Sequence, residues 1–271
     1  MLVHPQPDPI AFALGPVGVH WYGLMYLLGF VAAIVLGHLR AKQPWRNWTG
    51  LQVDDLIFYG ALGVIIGGRV GYVLFYDFAH FLQDPLSIFV LWKGGMSFHG
   101  GFLGVLVAVW LFARRYNKSY WDVVDFTAPL VPIGLGAGRI GNFINAELPG
   151  RAADASLPWA MQWPGVQHLV HPSPLYQALT EGVLLFLIVW FFSWRPRPRY
   201  AVSGVFALSY GCFRFTTEFF REPDAHIGYL YGGWLTMGQL LSLPLVAVGV
   251  FMLVLAYRKR IMPVIAGSNV K

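Results

Sequence analysis

Charge is what this chain most lacks. Only 12% of its 271 residues are Asp, Glu, Lys or Arg, against 56% hydrophobic ones, and mean hydropathy is +0.55. Soluble domains carry about a quarter charged residues, so a soluble globular class is excluded and an integral membrane protein is expected. Cysteine is nearly absent as well. Cys212 alone rules out an internal disulfide and a cysteine-rich metal site, and no His-Glu-x-x-His zinc motif occurs. No basic region precedes the first apolar run and no small-residue cleavage site follows it. The sequence therefore shows no removable signal peptide, and its first helix is expected to stay in the mature chain. No internal repeat relates two halves of the chain, which counts against an inverted-repeat transporter.

What is present is a succession of apolar runs of spanning length. A transmembrane helix needs about 20 apolar residues, and seven stretches qualify: roughly His20–His38, Asp55–Phe75, Ser97–Arg114, Val123–Ile144, Leu175–Trp194, Val202–Phe220 and Met237–Tyr257. Residues 1–18, with Pro5, Pro7, Pro9 and Pro16, read as a short arm too broken to span. Leu86–Trp92 is too short to cross and is expected to lie in the interface. The fourth span is expected to be interrupted at Pro129 and Pro132, which a membrane tolerates where the freed backbone is buried in protein or lines a cavity. Residues 145–173 are polar and contain prolines, and they read as a small extramembrane head between the fourth and fifth spans.

Basic residues set the orientation. Arg40, Lys42 and Arg46; Arg114, Arg115 and Lys118; Arg195, Arg197 and Arg199; and Arg258, Lys259, Arg260 and Lys271 alternate with connections holding one basic residue or none. The positive-inside rule makes these clusters cytoplasmic. The reading is one polytopic all-α membrane domain over 1–271, with seven transmembrane helices. Its N-terminal arm and head are outside (periplasmic), and its tail, 258–271, is cytoplasmic. The net charge of +6 then reflects topology and attraction to anionic lipid, and no nucleic-acid partner is needed to explain it.

The chain is organised around Gly134–Arg151, an apolar glycine-rich run that carries Arg139, Asn142, Asn145 and Glu147 before Pro149-Gly150. An arginine at that depth is costly unless it faces protein or water, so it is a functional candidate by default; the bland alternative is a packed helix end whose arginine snorkels to the interface. Small residues at Gly134, Gly136, Gly138 and Gly141 permit close approach of another helix or a lipid headgroup. Tyr210, Arg214 and Glu218, spaced at i, i+4 and i+8, share one face of the sixth span. His99 lies in the first turn of the third. Three spans are therefore expected to converge near the outer leaflet. Arg139 and Arg214 suit a phosphate clamp, since guanidinium groups bind phosphate bidentately and stay charged, and His99 is the natural base near neutral pH. Equally available are an i, i+4 ion pair of Arg214 with Glu218 that only joins helices, and a packing role for His99.

At these residues the chain resembles the bacterial prolipoprotein diacylglyceryl transferases. The resemblance rests on His20-Trp21-Tyr22-Gly23-Leu24, Gly67-Gly68-Arg69-Val70-Gly71-Tyr72, Phe98-His99-Gly100-Gly101 and Tyr210-Gly211-Cys212-Phe213-Arg214 with Glu218-Phe219-Phe220-Arg221. Most specific is Gly138-Arg139-Ile140-Gly141-Asn142-Phe143-Ile144-Asn145-Ala146-Glu147 followed by Gly150. It implies a seven-span enzyme of the bacterial inner membrane that moves the diacylglyceryl group of phosphatidylglycerol to the lipobox cysteine of a preprolipoprotein. The bond made is a thioether, and glycerol phosphate leaves. His99, Arg139 and Arg214 match residues the family treats as essential, and Tyr22, Asn142, Glu147, Gly150, Tyr210 and Glu218 match its other important polar positions. Arg69, the second intramembrane arginine, is expected among the substrate contacts. No metal and no cofactor is implied.

The chemistry of these residue types agrees. A phosphate that gains charge as its carbon–oxygen bond breaks is stabilised more in the transition state than in the ground state by fixed guanidinium groups. A thiol attacks as thiolate, which requires a base or a positive field; His99 and the arginine field are both candidates for that task. An intramembrane serine protease reading is disfavoured, because Ser97 and His99 are two residues apart on a helix, face different ways and make a poor dyad; labelling of Ser97 by a serine-reactive probe would revive it. A purely structural scaffold leaves the arginine cluster unexplained.

Overall fold

The computed structural model describes residues 2–15, 17–91, 94–223 and 228–262. It is mostly helical, and the described residues divide into two compact units. One is built from the chain up to Leu36 and from Asp125 onward, the other from Gly37–Val124. Six helical runs among the described residues are long and apolar enough to cross a membrane: Trp21–Ala41, Gly50–Tyr76, Phe98–Arg115, Tyr120–Ile144, Ser173–Phe192 and Met237–Lys259. Their flanks expose apolar side chains such as Leu27, Val35, Phe58, Leu103, Phe191 and Phe251, as hydrocarbon-facing surfaces do.

In the first unit, β1 (Leu2–Val3) pairs in parallel with β4 (Met161–Gln162), which pairs antiparallel with β5 (Leu169–Val170). β2 (Ile10–Leu14) and β3 (Val17–His20) form a hairpin that leads into α1 (Trp21–Ala41). The arm read as merely broken is thus woven into the head: His4 donates from Nε2 to the Phe143 carbonyl at 2.7 Å, while its Nδ1 accepts from Gln6 N at 3.0 Å. β1, β4 and β5, at two residues each, have no sequence period to detect, and the hairpin of β2 and β3 was hidden among the prolines of the arm.

The expected interruption of the fourth span is milder than a break. The helical course passes from Tyr120–Thr127 through a 3₁₀ turn, Ala128–Leu130, into Val131–Ile144. Pro129 and Pro132 sit at the starts of the turn and of the next helix, where a missing N–H costs little. The fifth run is less regular than expected. Ser173–Gln177 is α-helical, Ala178–Leu184 is π-helical, and Leu185–Phe192 returns to α. Ala201–Thr217 is a 17-residue helix that tightens into a 3₁₀ turn at Glu218–Phe220. It packs beside Met237–Lys259, and Arg199 N reaches the Ile261 carbonyl at 2.8 Å. The start of one helix therefore lies beside the end of the other, an antiparallel pair. Its N-terminus is capped by Asp125, which accepts from Tyr200 N and Ser203 N, each at 2.8 Å.

In the second unit, Gly50–Tyr76 packs against Phe98–Arg115 through glycine contacts, with the backbones at Gly67 and Gly104 nearly touching. The second span begins five residues earlier than expected because Thr49 and Gln52 form a reciprocal capping box. Pro85–Phe89, which overlaps the start of the stretch expected to lie in the interface, is a 3₁₀ turn; Trp92, Lys93 and residues 263–271 of the expected cytoplasmic tail lie outside the described residues.

Candidate active site

Close backbone contact between two helical segments sets up the centre of the first unit. Val131–Ile144 and the π-helical segment meet at two glycines: a Cβ on Gly136 would come within 2.9 Å of Gly182 Cα, and one on Gly182 within 2.7 Å of Gly136 Cα. No larger residue fits there. Three residues beyond Gly136 is Arg139 and one before Gly182 is Glu181, so the glycine contact brings this pair together.

Glu181 is completely buried and is the hub of the polar cluster. Its Oε2 accepts from Arg139 Nε and Nη2, both at 3.3 Å. Its Oε1 lies 3.8 Å from Arg214 Nη1 and accepts from Thr217 Oγ1 at 3.5 Å. Arg214 Nη2 is 2.9 Å from Glu218 Oε2, the i, i+4 pair anticipated from spacing. Glu218, also buried, accepts through Oε1 from Arg221 Nη1 at 3.1 Å and Thr236 Oγ1 at 3.2 Å. Tyr210 belongs to the same group, since its phenol interacts with Arg139, Glu181 and Arg214. The carboxylates are at 0% and 1% side-chain exposure, while Arg139 keeps 22% and Arg214 17%. The anions therefore sit behind and the cations in front. Arg214 Nη1, besides its ion pair, makes no hydrogen bond, so it is a buried donor with capacity for an anionic ligand.

Beyond Arg139 the helix ends in a strained turn. Ala146 and Leu148 both have φ of 55°, a left-handed conformation uncommon for such residues and found where surrounding structure enforces it. Here Trp163 Nε1 donates to the Ala146 carbonyl at 3.0 Å and Ser173 Oγ to the Leu148 carbonyl at 2.8 Å. The turn presents Glu147, whose carboxylate accepts from Asn142 Nδ2 at 2.7 Å and Asn145 Nδ2 at 3.2 Å. Gly150 bridges to Arg221, and a Cβ on it would meet the Phe220 carbonyl at 2.7 Å. Arg151 laces the same junction through the carbonyls of Arg221 and Glu218, at 3.0 and 3.2 Å. Nearby, His171 lies 3.1 Å from the Tyr176 hydroxyl, and burial lowers its pKa from the usual imidazole value. Tyr22 packs on the Gly141 face of the same helix, 2.8 Å from where a Cβ would stand, and stacks edge-on with Tyr26.

Of the residues singled out in the sequence, Arg139, Tyr210, Arg214 and Glu218 meet in one cluster, and Tyr22, Asn142, Glu147 and Gly150 line the helix and turn that carry Arg139. His99 and Arg69 belong to the second unit. His99 is exposed in the first turn of Phe98–Arg115, with Phe98 as its ring neighbour at 5.7 Å. Arg69 is buried and donates to the carbonyls of Ile88 and Gly94 at 2.9 Å, Gly95 at 3.1 Å and Ser87 at 2.5 Å. The residues that sequence reasoning passed over are Glu181, Thr217 and Thr236. Glu181 had a usable signal, as the one acidic residue inside the fifth apolar run.

Comparison with known proteins adds evidence from nearly the whole chain. The family model described as Prolipoprotein diacylglyceryl transferase matches residues 9–255. A protein of Coxiella burnetii (strain RSA 331 / Henzerling II), named phosphatidylglycerol–prolipoprotein diacylglyceryl transferase, is 59% identical over 261 residues, covering 96% of this chain and 99% of that one. Proteins of the same name from Janthinobacterium sp. (strain Marseille) and Solidesulfovibrio magneticus are 56% and 59% identical over 264 and 258 residues. They cover 96% and 93% of this chain, and 99% and 96% of their own. With matches of this length and identity, the chain belongs to the prolipoprotein diacylglyceryl transferase family.

Proposed function

We propose that the chain is a transferase acting in lipoprotein biosynthesis, moving the diacylglyceryl group of phosphatidylglycerol to the lipobox cysteine thiol of a preprolipoprotein. The observation that carries this reading is the pair of partly accessible arginines backed by a buried carboxylate. In the reaction the substrate sulfur bonds to the glyceryl carbon while the bond from that carbon to the phosphate oxygen breaks. The oxygen keeps the electron pair, so a phosphodiester monoanion becomes a glycerol phosphate with a second titratable oxygen. Arg139 and Arg214 are assigned to that phosphate, where guanidinium donors meet charge as it develops. His99 is assigned the thiol proton on chemical grounds. Asn142, Glu147, Gly150, Tyr22, Tyr210, Glu218 and Arg69 are assigned to binding and orienting substrate, Arg69 while bracing the carbonyls of Ser87, Ile88, Gly94 and Gly95.

The same reading places the enzyme in the bacterial inner membrane with seven spans. Ala201–Thr217 supplies the seventh, because it runs antiparallel to the full length of a helix that qualifies by itself. The basic residues that close Phe98–Arg115 and Met237–Lys259 favour cytoplasmic ends for both, with the N-terminus and the 145–173 head periplasmic.

The test is direct: incubate the purified protein with phosphatidylglycerol vesicles and a lipobox peptide, and weigh the peptide by mass spectrometry. A diacylglyceryl adduct on the cysteine, absent from a Cys-to-Ser peptide, is expected. An unmodified peptide in the presence of folded protein would refute the reading.

A further inference from the structure

Glu181 is a carboxylate with no access to solvent, held by two arginines from two different helices, in the only π-helical stretch among the described residues. A buried ion pair is a poor source of stability, because desolvation of the charges offsets their attraction. A π-helical insertion in an otherwise regular helix is commonly found at a functional site. The ion pair is not needed to join the Arg139 helix to the π-helical segment, since the Gly136–Gly182 contact already does so.

Two consequences follow from where the charges stand. First, Glu181 fixes both guanidinium groups from behind: Arg139 offers it two donors, which sets the plane of that group, and Arg214 is drawn toward it by Nη1. Second, it sets the charge. Glu181 and Glu218 stand against Arg139 and Arg214, so much of the charge of the two forward-facing guanidinium groups is offset from behind. The substrate phosphodiester is a monoanion. The product phosphomonoester carries about −1.5 to −2 at neutral pH, so a more positive site would grip the product harder than the substrate.

Resting on the reading of the chain as a diacylglyceryl transferase, we infer that Glu181 is a positioning residue with two tasks. It orients Arg139 and Arg214 toward the phosphate, and it trims their charge so that glycerol phosphate leaves. A buried carboxylate that merely held helices together would affect folding and amount of enzyme, and would leave the product's grip unchanged.

The experiment measures transfer rate and the glycerol phosphate concentration that halves it, for wild type, Glu181→Gln and Glu181→Asp. Wild-type transfer to the lipobox peptide is the control that separates the two claims: if wild type transfers nothing, the functional reading fails first. Given an active wild type, Glu181→Gln keeps the shape but removes the charge. Its rate is expected to fall by about a hundredfold, the size seen when an anion-stabilising donor is misplaced. Half-inhibition by glycerol phosphate is expected at about tenfold lower concentration, as one unbalanced charge within a few ångströms produces even when partly screened. Glu181→Asp, with its charge kept and its reach shortened, is expected to lose rate while retaining wild-type sensitivity to glycerol phosphate. If Glu181→Gln does not fold, Glu218→Gln makes the same change of charge and is expected to show the same tightening. Unchanged product inhibition in the charge-removing variants, or a wild-type rate in Glu181→Gln, overturns the inference.

Discussion

Replacing Arg139 or Arg214 by lysine preserves charge but loses the planar pair of donors that the cluster holds in place. Each single lysine variant is expected to transfer about a hundredfold more slowly or worse, with little change in thermal unfolding; near-normal rates in both would reduce the clamp to a diffuse field. For His99 the expected outcome concerns proton transfer. His99→Gln keeps a hydrogen-bonding group but removes the base, so transfer at neutral pH should fall by about a hundredfold to ten-thousandfold, with recovery as alkali ionises the peptide thiol directly. A variant that transfers normally at neutral pH would leave thiol activation to the arginines. Arg139 and Arg214 stood out in the sequence because charge is scarce in this chain, so an arginine within an apolar run is conspicuous. Glu181 carried the same signal of scarcity but lacked a second one. It has no polar neighbour at i±3 or i±4 except Gln177, so it made no face, and its partners come from other helices. Arg69 illustrates the converse: its charge was conspicuous, but spacing held no hint that four backbone carbonyls occupy it.

The helices themselves were legible to within a few residues, since apolar length and basic ends are local properties. Their irregularities were not. The π-helical turn at Ala178–Leu184 arises where Glu181 must reach Arg139 while Gly182 presses on Gly136, a tertiary demand that no periodicity within the segment records. This contact carries its own expectation. In Gly136→Ala the added methyl stands 2.9 Å from Gly182 Cα, which backbone cannot accept without the segments separating. Overpacking of this kind costs about 1–3 kcal/mol, readable as a lower unfolding temperature in detergent. Separation also lengthens the Arg139–Glu181 contact, so transfer should fall more than stability alone explains. A variant with wild-type stability and rate would show that the close approach is dispensable. The head is the other part that sequence concealed: its strands are two residues long, and its junction with the end of Ala201–Thr217 is made by Gly150, Arg151 and backbone carbonyls.

Across the whole molecule, the proposed topology rests on the alternation of basic and basic-poor connections. In a Cys212→Ala background, a cysteine introduced at Ala155 should react with an impermeant thiol reagent applied to intact cells. One introduced at Asn117 should react only after permeabilisation. The opposite pattern would invert the proposed topology and put the arginine cluster on the cytoplasmic side. Whichever side it faces, the central claim is chemical: the enzyme breaks the carbon–oxygen bond of the lipid, and the arginines take the departing phosphate. Phosphatidylglycerol carrying oxygen-18 in the bridge between the diacylglyceryl carbon and phosphorus tests it in one measurement. The label is predicted to leave entirely with glycerol phosphate, while the peptide gains an unlabelled diacylglyceryl thioether. Label recovered in a diacylglycerol or in the peptide adduct would mean that the phosphorus–oxygen bond breaks instead, and would contradict the account.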